Sequence, residues 1–198
     1  YRPTVFEKNE KPGGMLTYGI PSYKLEKDVV EEEIDIIRAL GVEIKCGVEV
    51  GKDITLDELR KDGYEAFYIA IGCQGSRKSG VAGEDADGVM SAVDILHEIA
   101  ENHDLDLKGN KTVVIGGGNV AVDVARSTKR CGADVLGMFC LESREEMPAS
   151  EEEIFETEDE GIQINNGWGV KEILAENGKV TGVVLKKCTS VKDADGKF

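Results

Sequence analysis

The stretch from Lys111 to Glu142, KTVVIGGGNVAVDVARSTKRCGADVLGMFCLE, constrains this chain more than any other. A β-branched run, Thr112–Ile115, stops at Gly116-Gly117-Gly118; from Asn119 to Arg130, Val120 and Val124 share one helical row and Ala121 and Ala125 the next. Strand, glycine turn and helix in that order form the setting in which a G-x-G-x-x-A motif binds a dinucleotide. Gly116 can take the positive φ of a tight turn, Gly118 lets the backbone approach a pyrophosphate, and Ala121 keeps the helix close to the strand. Unbonded N–H groups and the helix dipole then favour a diphosphate at the helix start. A second apolar run, Ala133 to Leu141, ends at Glu142, 24 residues after Gly118. There a carboxylate can accept hydrogen bonds from a ribose 2′,3′-diol. A glycine-rich turn that binds nothing is the alternative; the agreement of strand, helix and acid spacing argues against it.

Glu142 also bears on the choice of nicotinamide cofactor. A 2′-phosphate beside it meets like charge, and NADP sites usually supply an arginine there. The one nearby arginine, Arg144, stands two residues on, so the balance favours NAD(H) over NADP(H).

Composition narrows the function classes. A chain of 198 residues, 40% apolar with 24 glycines, can bury a real core and suits an α/β protein rich in turns. A formal net charge of −15 argues against non-specific binding to nucleic acid or to an anionic membrane surface. The five cysteines, Cys46, Cys73, Cys131, Cys140 and Cys188, form no C-x-x-C and have no matching histidine spacing. That pattern leaves no redox dithiol, zinc site or cluster-binding run within these residues and fits a reducing compartment. His97 and His103, at a predicted helix end, read as surface residues rather than ligands. With no apolar run of membrane-spanning length and no signal peptide, a cytoplasmic location is the default.

Taken in order, the chain opens on Arg2 to Glu7, a strand ending in an acid, like the second strand of a dinucleotide fold without its first strand or glycine loop. The natural protein is therefore expected to begin earlier. Lys8 to Leu25, with Pro12, Gly13, Gly14, Gly19 and Pro21, reads as one long irregular loop of the kind that carries function. Glu26 to Leu40 is an amphipathic helix with Val29, Val30, Ile34, Ile36, Ile37 and Leu40 on a broad apolar face, closed by Gly41. Val42–Cys46 and Val48–Val50 read as strands, and Thr55 to Glu58 starts a short helix with a capping box. Ala66 to Ile71, AFYIAI, reads as a buried parallel strand stopping at Gly72, and Ser76 to Gly88 as the crossing between two lobes. A helix capped by Ser91 leads into the central strand. Beyond Glu142 come a loop to Ser150, an acidic helix to about Glu160, and strands at Ile162–Ile164, Trp168–Leu174 and Val180–Lys187, the last two joined at Asn177-Gly178. The turn signal Asp195-Gly196, just before Phe198, makes the C-terminus look cut as well.

The order V-F-E-K at 5–8, P-G-G-M-L-T-Y-G-I-P at 12–21, L-G-V-E-I at 40–44, G-E-D-A-D-G-V at 83–89, G-G-G-N-V-A-V-D at 116–123 and E-M-P-A at 146–149 resembles the small (β) subunit of glutamate synthase and its relatives. These are FAD-dependent NAD(P)H oxidoreductases of the two-dinucleotide-binding-domain flavoprotein type, and they include the large subunit of the NADH-dependent ferredoxin:NADP oxidoreductase. The resemblance implies a Rossmann-like α/β chain: residues 1–87 as a partial FAD-binding domain and residues 88–198 as an NAD(P)H-binding domain inserted in it. It implies that Glu7 holds the FAD adenosine ribose, that Gly13, Gly14 and Leu16 run under the flavin diphosphate and ring, and that Val50 contacts adenine through its backbone. Ile71-Gly72 corresponds to the family's strand end beside FAD, and Gly116, Gly118, Asn119, Val120 and Asp123 to its pyridine-nucleotide loop and helix start. Hydride passage from nicotinamide to flavin demands no side-chain acid or base.

Departures from the family pattern qualify this. Its first glycine motif, N-terminal iron–sulfur cysteines and final FAD-domain segment have no counterpart in these residues, so the chain alone is expected to hold FAD poorly or not at all and to be inactive. Many relatives carry two arginines where Leu141 and Glu142 stand, which agrees with the argument for NADH. The leading expectation is an electron-entry module that reduces FAD with NADH or NADPH and passes electrons to an iron–sulfur domain or partner subunit. A non-catalytic nucleotide-binding or assembly module is the alternative from another class. A disulfide reductase is disfavoured, since Cys46 and Cys73 have no near partner.

Overall fold

The computed structural model describes residues 2–102 and 105–191, so His103 and the Asp195-Gly196 turn signal lie outside the described residues. The chain forms two compact units, residues 1–74 and 75–198.

In the first unit, β1 (Thr4–Glu7) and β2 (Glu43–Cys46) pair in parallel, Val5 opposite Ile44 and Glu7 opposite Cys46. The chain returns from β1 to β2 through two helices, α1 (Met15–Tyr18) and α2 (Lys27–Ala39). The single turn α1 corrects the expectation of an irregular loop over 8–25: Gly14, at φ 52°, starts it without a side-chain cap, and the Lys27 ammonium donates to the carbonyls of Leu16, at 2.8 Å, and Ile20. α2 buries Val30 and Ile34 but leaves Val29, Ile36, Ile37 and Leu40 exposed, so most of its apolar face is uncovered within this unit. α3 (Leu56–Lys61) begins with the expected capping box, the Thr55 hydroxyl accepting from the Glu58 N–H and the Glu58 carboxylate accepting from the Thr55 N–H.

Two predicted strands are absent. Val48–Val50 makes only an isolated bridge from Val50 to Ile54, and 66–71 has no regular structure, with Tyr68 and Ile71 respectively 94% and 84% exposed. A strand needs a neighbour for its backbone N–H and C=O groups. Among the described residues this unit's sheet contains only β1 and β2, so the apolar run finds no ladder.

In the second unit, α4 (Ala92–Glu101), capped by Ser91, precedes a three-stranded parallel sheet ordered β3 (Lys111–Ile115), β4 (Asp134–Cys140), β5 (Ile164–Asn166). α5 (Asn119–Arg130) connects β3 to β4, and α6 (Glu151–Asp159) connects β4 to β5. Sequence order equals spatial order, as successive β-α-β units on one sheet produce. The third strand lies at Ile164–Asn166 rather than the expected Ile162–Ile164; Ile162 instead packs into the core at 2% exposure. Val122, Ala125 and Met138 are fully buried between helix and sheet. Each large side chain so buried stabilises the fold by roughly 1.5–3 kcal/mol. β6 (Trp168–Glu176) and β7 (Lys179–Lys187) form an antiparallel hairpin whose turn, Asn177-Gly178, has φ of 51° and 80°, as a two-residue loop of that type requires. Residues 75–88 group with this unit, Ala82 and Asp87 bridging to Glu172 and Lys179.

Candidate dinucleotide site

β3 ends at the glycine turn, and each glycine answers a different demand. Gly116 has φ +137°, and a Cβ added there would lie 3.1 Å from the Ala121 methyl group, so a small residue on each side lets α5 come up to the strand end. Gly117 is buried, and its Cβ would meet Cys140 Cβ and the Glu142 carboxylate, each at 3.0 Å. Gly118 is the N-cap of α5 in ordinary extended geometry (φ −95°, ψ 171°), with no side-chain cap and open space where a Cβ would stand. The open Cβ position at the N-cap of this twelve-residue helix, with the Glu142 carboxylate against the preceding glycine, offers helix-start donors and an acceptor of the kind a diphosphate and its ribose require.

Glu142 closes the arrangement from the end of β4. Its backbone carbonyl accepts from Asn166 Nδ2 at 3.2 Å and from the Gly167 N–H at 3.1 Å. Beyond it the chain loops back to the turn: the Ala149 N–H donates to the Gly117 carbonyl at 3.0 Å, and the Ser150 N–H to Asn119 Oδ1 at 2.9 Å. Asn119 is therefore a brace between the two helix starts. Val120, on the first turn of α5, is half exposed, while Asp123 is buried one turn further in. Arg144 is exposed on the loop, its guanidinium 3.9 Å from Glu158 on α6. Such a solvated pair contributes little and leaves Arg144 free to move.

The residues expected on the flavin side lie in the first unit. Val48 donates its N–H to the Glu7 carbonyl at 3.0 Å, which draws the Val50 segment alongside the end of β1. The Glu7 carboxylate accepts from the Asn9 N–H at 2.9 Å. Gly13 is explained without a ligand: its φ is +110°, and a Cβ would overlap Thr17 Oγ1. Gly14 faces Gln74 Nε2, 3.7 Å from its would-be Cβ, so the segment after Ile71-Gly72 returns to the start of α1, where Leu16 is half exposed. A hollow of about 400 Å³ in this unit is lined by Phe6, Lys45, Leu59 and Tyr64 among others, and by none of the residues assigned to FAD.

The cysteines are all free among the described residues, and burial pushes the thiols of Cys46, Cys131 and Cys140 up from their ordinary value, with Glu142 adding to the effect at Cys140. Such thiols are protonated and poor redox nucleophiles. His97, within α4, pairs with Glu101 at 3.0 Å. Among the described residues, no cluster of His, Cys, Asp and Glu could hold a metal ion, and no helix is long and apolar enough to cross a membrane.

Sequence reasoning missed Gly117 and Asn166. The triple glycine signalled the first, since the motif itself needs only its outer pair; Asn166 carried no signal.

Comparison with known proteins shows the family and the fold. The pyridine nucleotide-disulphide oxidoreductase family matches over residues 4–198. The chain is 40% identical over 194 residues to the NADP(+)-dependent formate dehydrogenase subunit beta of Moorella thermoacetica, covering 97% of this chain and 27% of that protein. It is 34% identical over 209 residues to the glutamate synthase [NADPH] small chain of Escherichia coli, covering 99% and 43%. It thus spans less than half the length of these curated relatives. Among solved structures, FprA from Mycobacterium tuberculosis superposes with a TM-score of 0.78 at 20% identity, covering 99% of this chain and 59% of FprA, which establishes the shared fold.

Proposed function

Because the chain belongs to the pyridine nucleotide-disulphide oxidoreductase family, with glutamate synthase small chains among its relatives, we propose that it is the nucleotide-handling part of an NAD(P)H-dependent FAD oxidoreductase. The observation that carries this reading is the open N-cap at Gly118 with the Glu142 carboxylate beside the same turn. Gly116, Gly118, Asn119, Val120 and Asp123 form the turn and first helical turn that receive the nicotinamide nucleotide, and Glu142 accepts from its adenosine ribose. Glu7, Gly13, Gly14, Leu16, Val50, Ile71 and Gly72 form part of the FAD site, within an FAD-binding domain in which the NAD(P)H-binding domain is an insertion.

The chemistry that the bound cofactors supply is transfer of a hydride from nicotinamide C4 to flavin N5. The chain's own residues bind and orient. The backbone N–H groups of α5 hold the diphosphate, and the small residues at 116–118 let it approach. Electrons then leave to an iron–sulfur domain or partner subunit, as in an assembly of the glutamate synthase or ferredoxin:NAD(P) oxidoreductase kind; relatives named as subunits of larger enzymes support this.

Two lines bear on the nicotinamide cofactor and point apart. The carboxylate at Glu142 favours an unphosphorylated ribose and hence NADH. The relatives are named for NADP(+) and NADPH, and Arg144 is near enough in sequence to serve a 2′-phosphate. We give the local charge precedence and assign NADH.

Anaerobic addition of NADH or NADPH to the full-length, flavin-loaded protein tests the reading. Bleaching of the flavin's visible absorbance, faster with NADH, is the expected result. Full-length protein that carries no flavin, or whose flavin neither nucleotide bleaches, would favour the non-catalytic assembly module.

A further inference from the structure

One face of α5 runs along α6, and the contacts fix their register. Asn119, Arg126 and Arg130 stand at i, i+7 and i+11, hence on one side of α5. Opposite them along α6 stand Ser150, Glu153, Glu156 and Glu160. At the N-terminal end, Asn119 Oδ1 accepts from the Ser150 N–H. Arg126, its side chain only 6% exposed, donates from Nε to Glu160 at 2.8 Å and from Nη1 to Glu156 at 2.5 Å, with Glu153 at 3.5 Å. Arg130 Nη2 reaches Glu160 at 2.7 Å. The two helices therefore start at the same end and lie parallel, zipped by two guanidinium groups and three carboxylates.

A network centred on so buried a guanidinium is poorly explained by stability alone. Desolvating the charges offsets most of their attraction, and a hydrophobic contact of similar size would hold the helices as well. What forked guanidinium–carboxylate pairs provide, and greasy contacts do not, is register. Register matters at the N-terminal end of α6. The 142–150 loop begins at Glu142, beside Gly117, and ends at Ala149 and Ser150, which are bonded to Gly117 and Asn119. A slide of α6 along α5 would pull on the segment that carries Glu142 and Arg144.

We propose that Arg126, with Glu153, Glu156 and Glu160, is a positioning unit for nicotinamide-nucleotide discrimination: it sets the register of α6 and thereby holds the 142–150 loop where Glu142 meets the adenosine ribose. This rests on the reading of the Gly118–Glu142 region as the nucleotide site. The unit touches no cofactor and acts through the loop.

The test compares dissociation constants for NADH and NADPH, and their ratio, in the full-length protein and in Arg126→Met, Arg126→Lys and Glu156→Gln, alongside the thermal midpoint. The ratio is the informative quantity, since damage to the fold alone lowers both affinities together. We expect Arg126→Met to bring the ratio at least about fivefold closer to unity, Arg126→Lys to restore it only in part because lysine lacks the fork, and Glu156→Gln to fall between. Glu156 is half exposed, so its variant reports even where Arg126→Met fails to fold. Variants that keep the wild-type ratio, or a wild type that binds both nucleotides equally, overturn the proposal. A wild type that binds neither overturns the site reading, and the proposal with it.

Discussion

At the residue scale, Gly118 and Gly13 separate two reasons for glycine. Gly118 has backbone angles open to any residue and empty space at its Cβ, so nothing inside the chain requires glycine there. In the proposed site the ligand does. Gly118→Val is therefore expected to leave the thermal midpoint nearly unchanged while weakening nucleotide binding by about 100-fold, roughly 2.7 kcal/mol, as titration of both proteins would show. Unchanged affinity would sink the assignment. At Gly13, by contrast, the side chain of Thr17 occupies the Cβ position and φ is +110°, so a substitution there should lower stability first. The motif spacing made Gly116, Gly118 and Glu142 legible as a group, because a dinucleotide imposes those separations. It could not distinguish a glycine kept for a ligand from one kept for a neighbouring threonine, since both look alike in sequence. Glu142→Arg exchanges like charge for opposite charge at the ribose and should shift the NADH/NADPH affinity ratio toward NADPH by about tenfold, near 1.4 kcal/mol; an unaltered ratio would place the ribose elsewhere.

At the scale of elements, local signals were read well where the element supplies its own partners. α5 begins and ends where its pattern predicts, the Thr55 capping box is present, and Asn177-Gly178 makes the hairpin turn. AFYIAI failed for the complementary reason: a strand is defined by its neighbour, and no neighbour is written in the segment itself. Removing the Thr55 hydroxyl, Thr55→Ala, should cost about 1 kcal/mol of stability, measurable by denaturant unfolding. The α5–α6 zip makes a pH prediction. Burial raises the Glu160 carboxyl's pKa, but hydrogen bonds from Arg130 and Arg126 outweigh this and hold it below its ordinary value near 4.5. A carboxyl depressed on folding contributes stability above the ordinary value and loses it as pH falls through the folded one. Thermal midpoints should hold steady from neutral pH down to about the ordinary carboxyl value and fall between it and the depressed one. Glu160→Gln should flatten that fall, and a Gln variant with the wild-type acid profile would show that the zip carries none of it.

For the molecule as a whole, two units divide the proposed labour, an FAD side in residues 1–74 and a nicotinamide side in 75–198. The glycine-bearing run after Ser76, expected from the sequence as the crossing between two lobes, bridges to the β6–β7 hairpin by contacts too distant in sequence to be visible beforehand. The central claim is that the glycine turn of the second unit binds a nicotinamide dinucleotide selected by Glu142. Calorimetric titration of the full-length protein with NADH and with NADPH, each repeated on Gly118→Val, tests it most directly. Binding of NADH in preference to NADPH, abolished by the valine, is the predicted result; binding of neither nucleotide, or binding indifferent to the valine, would contradict it.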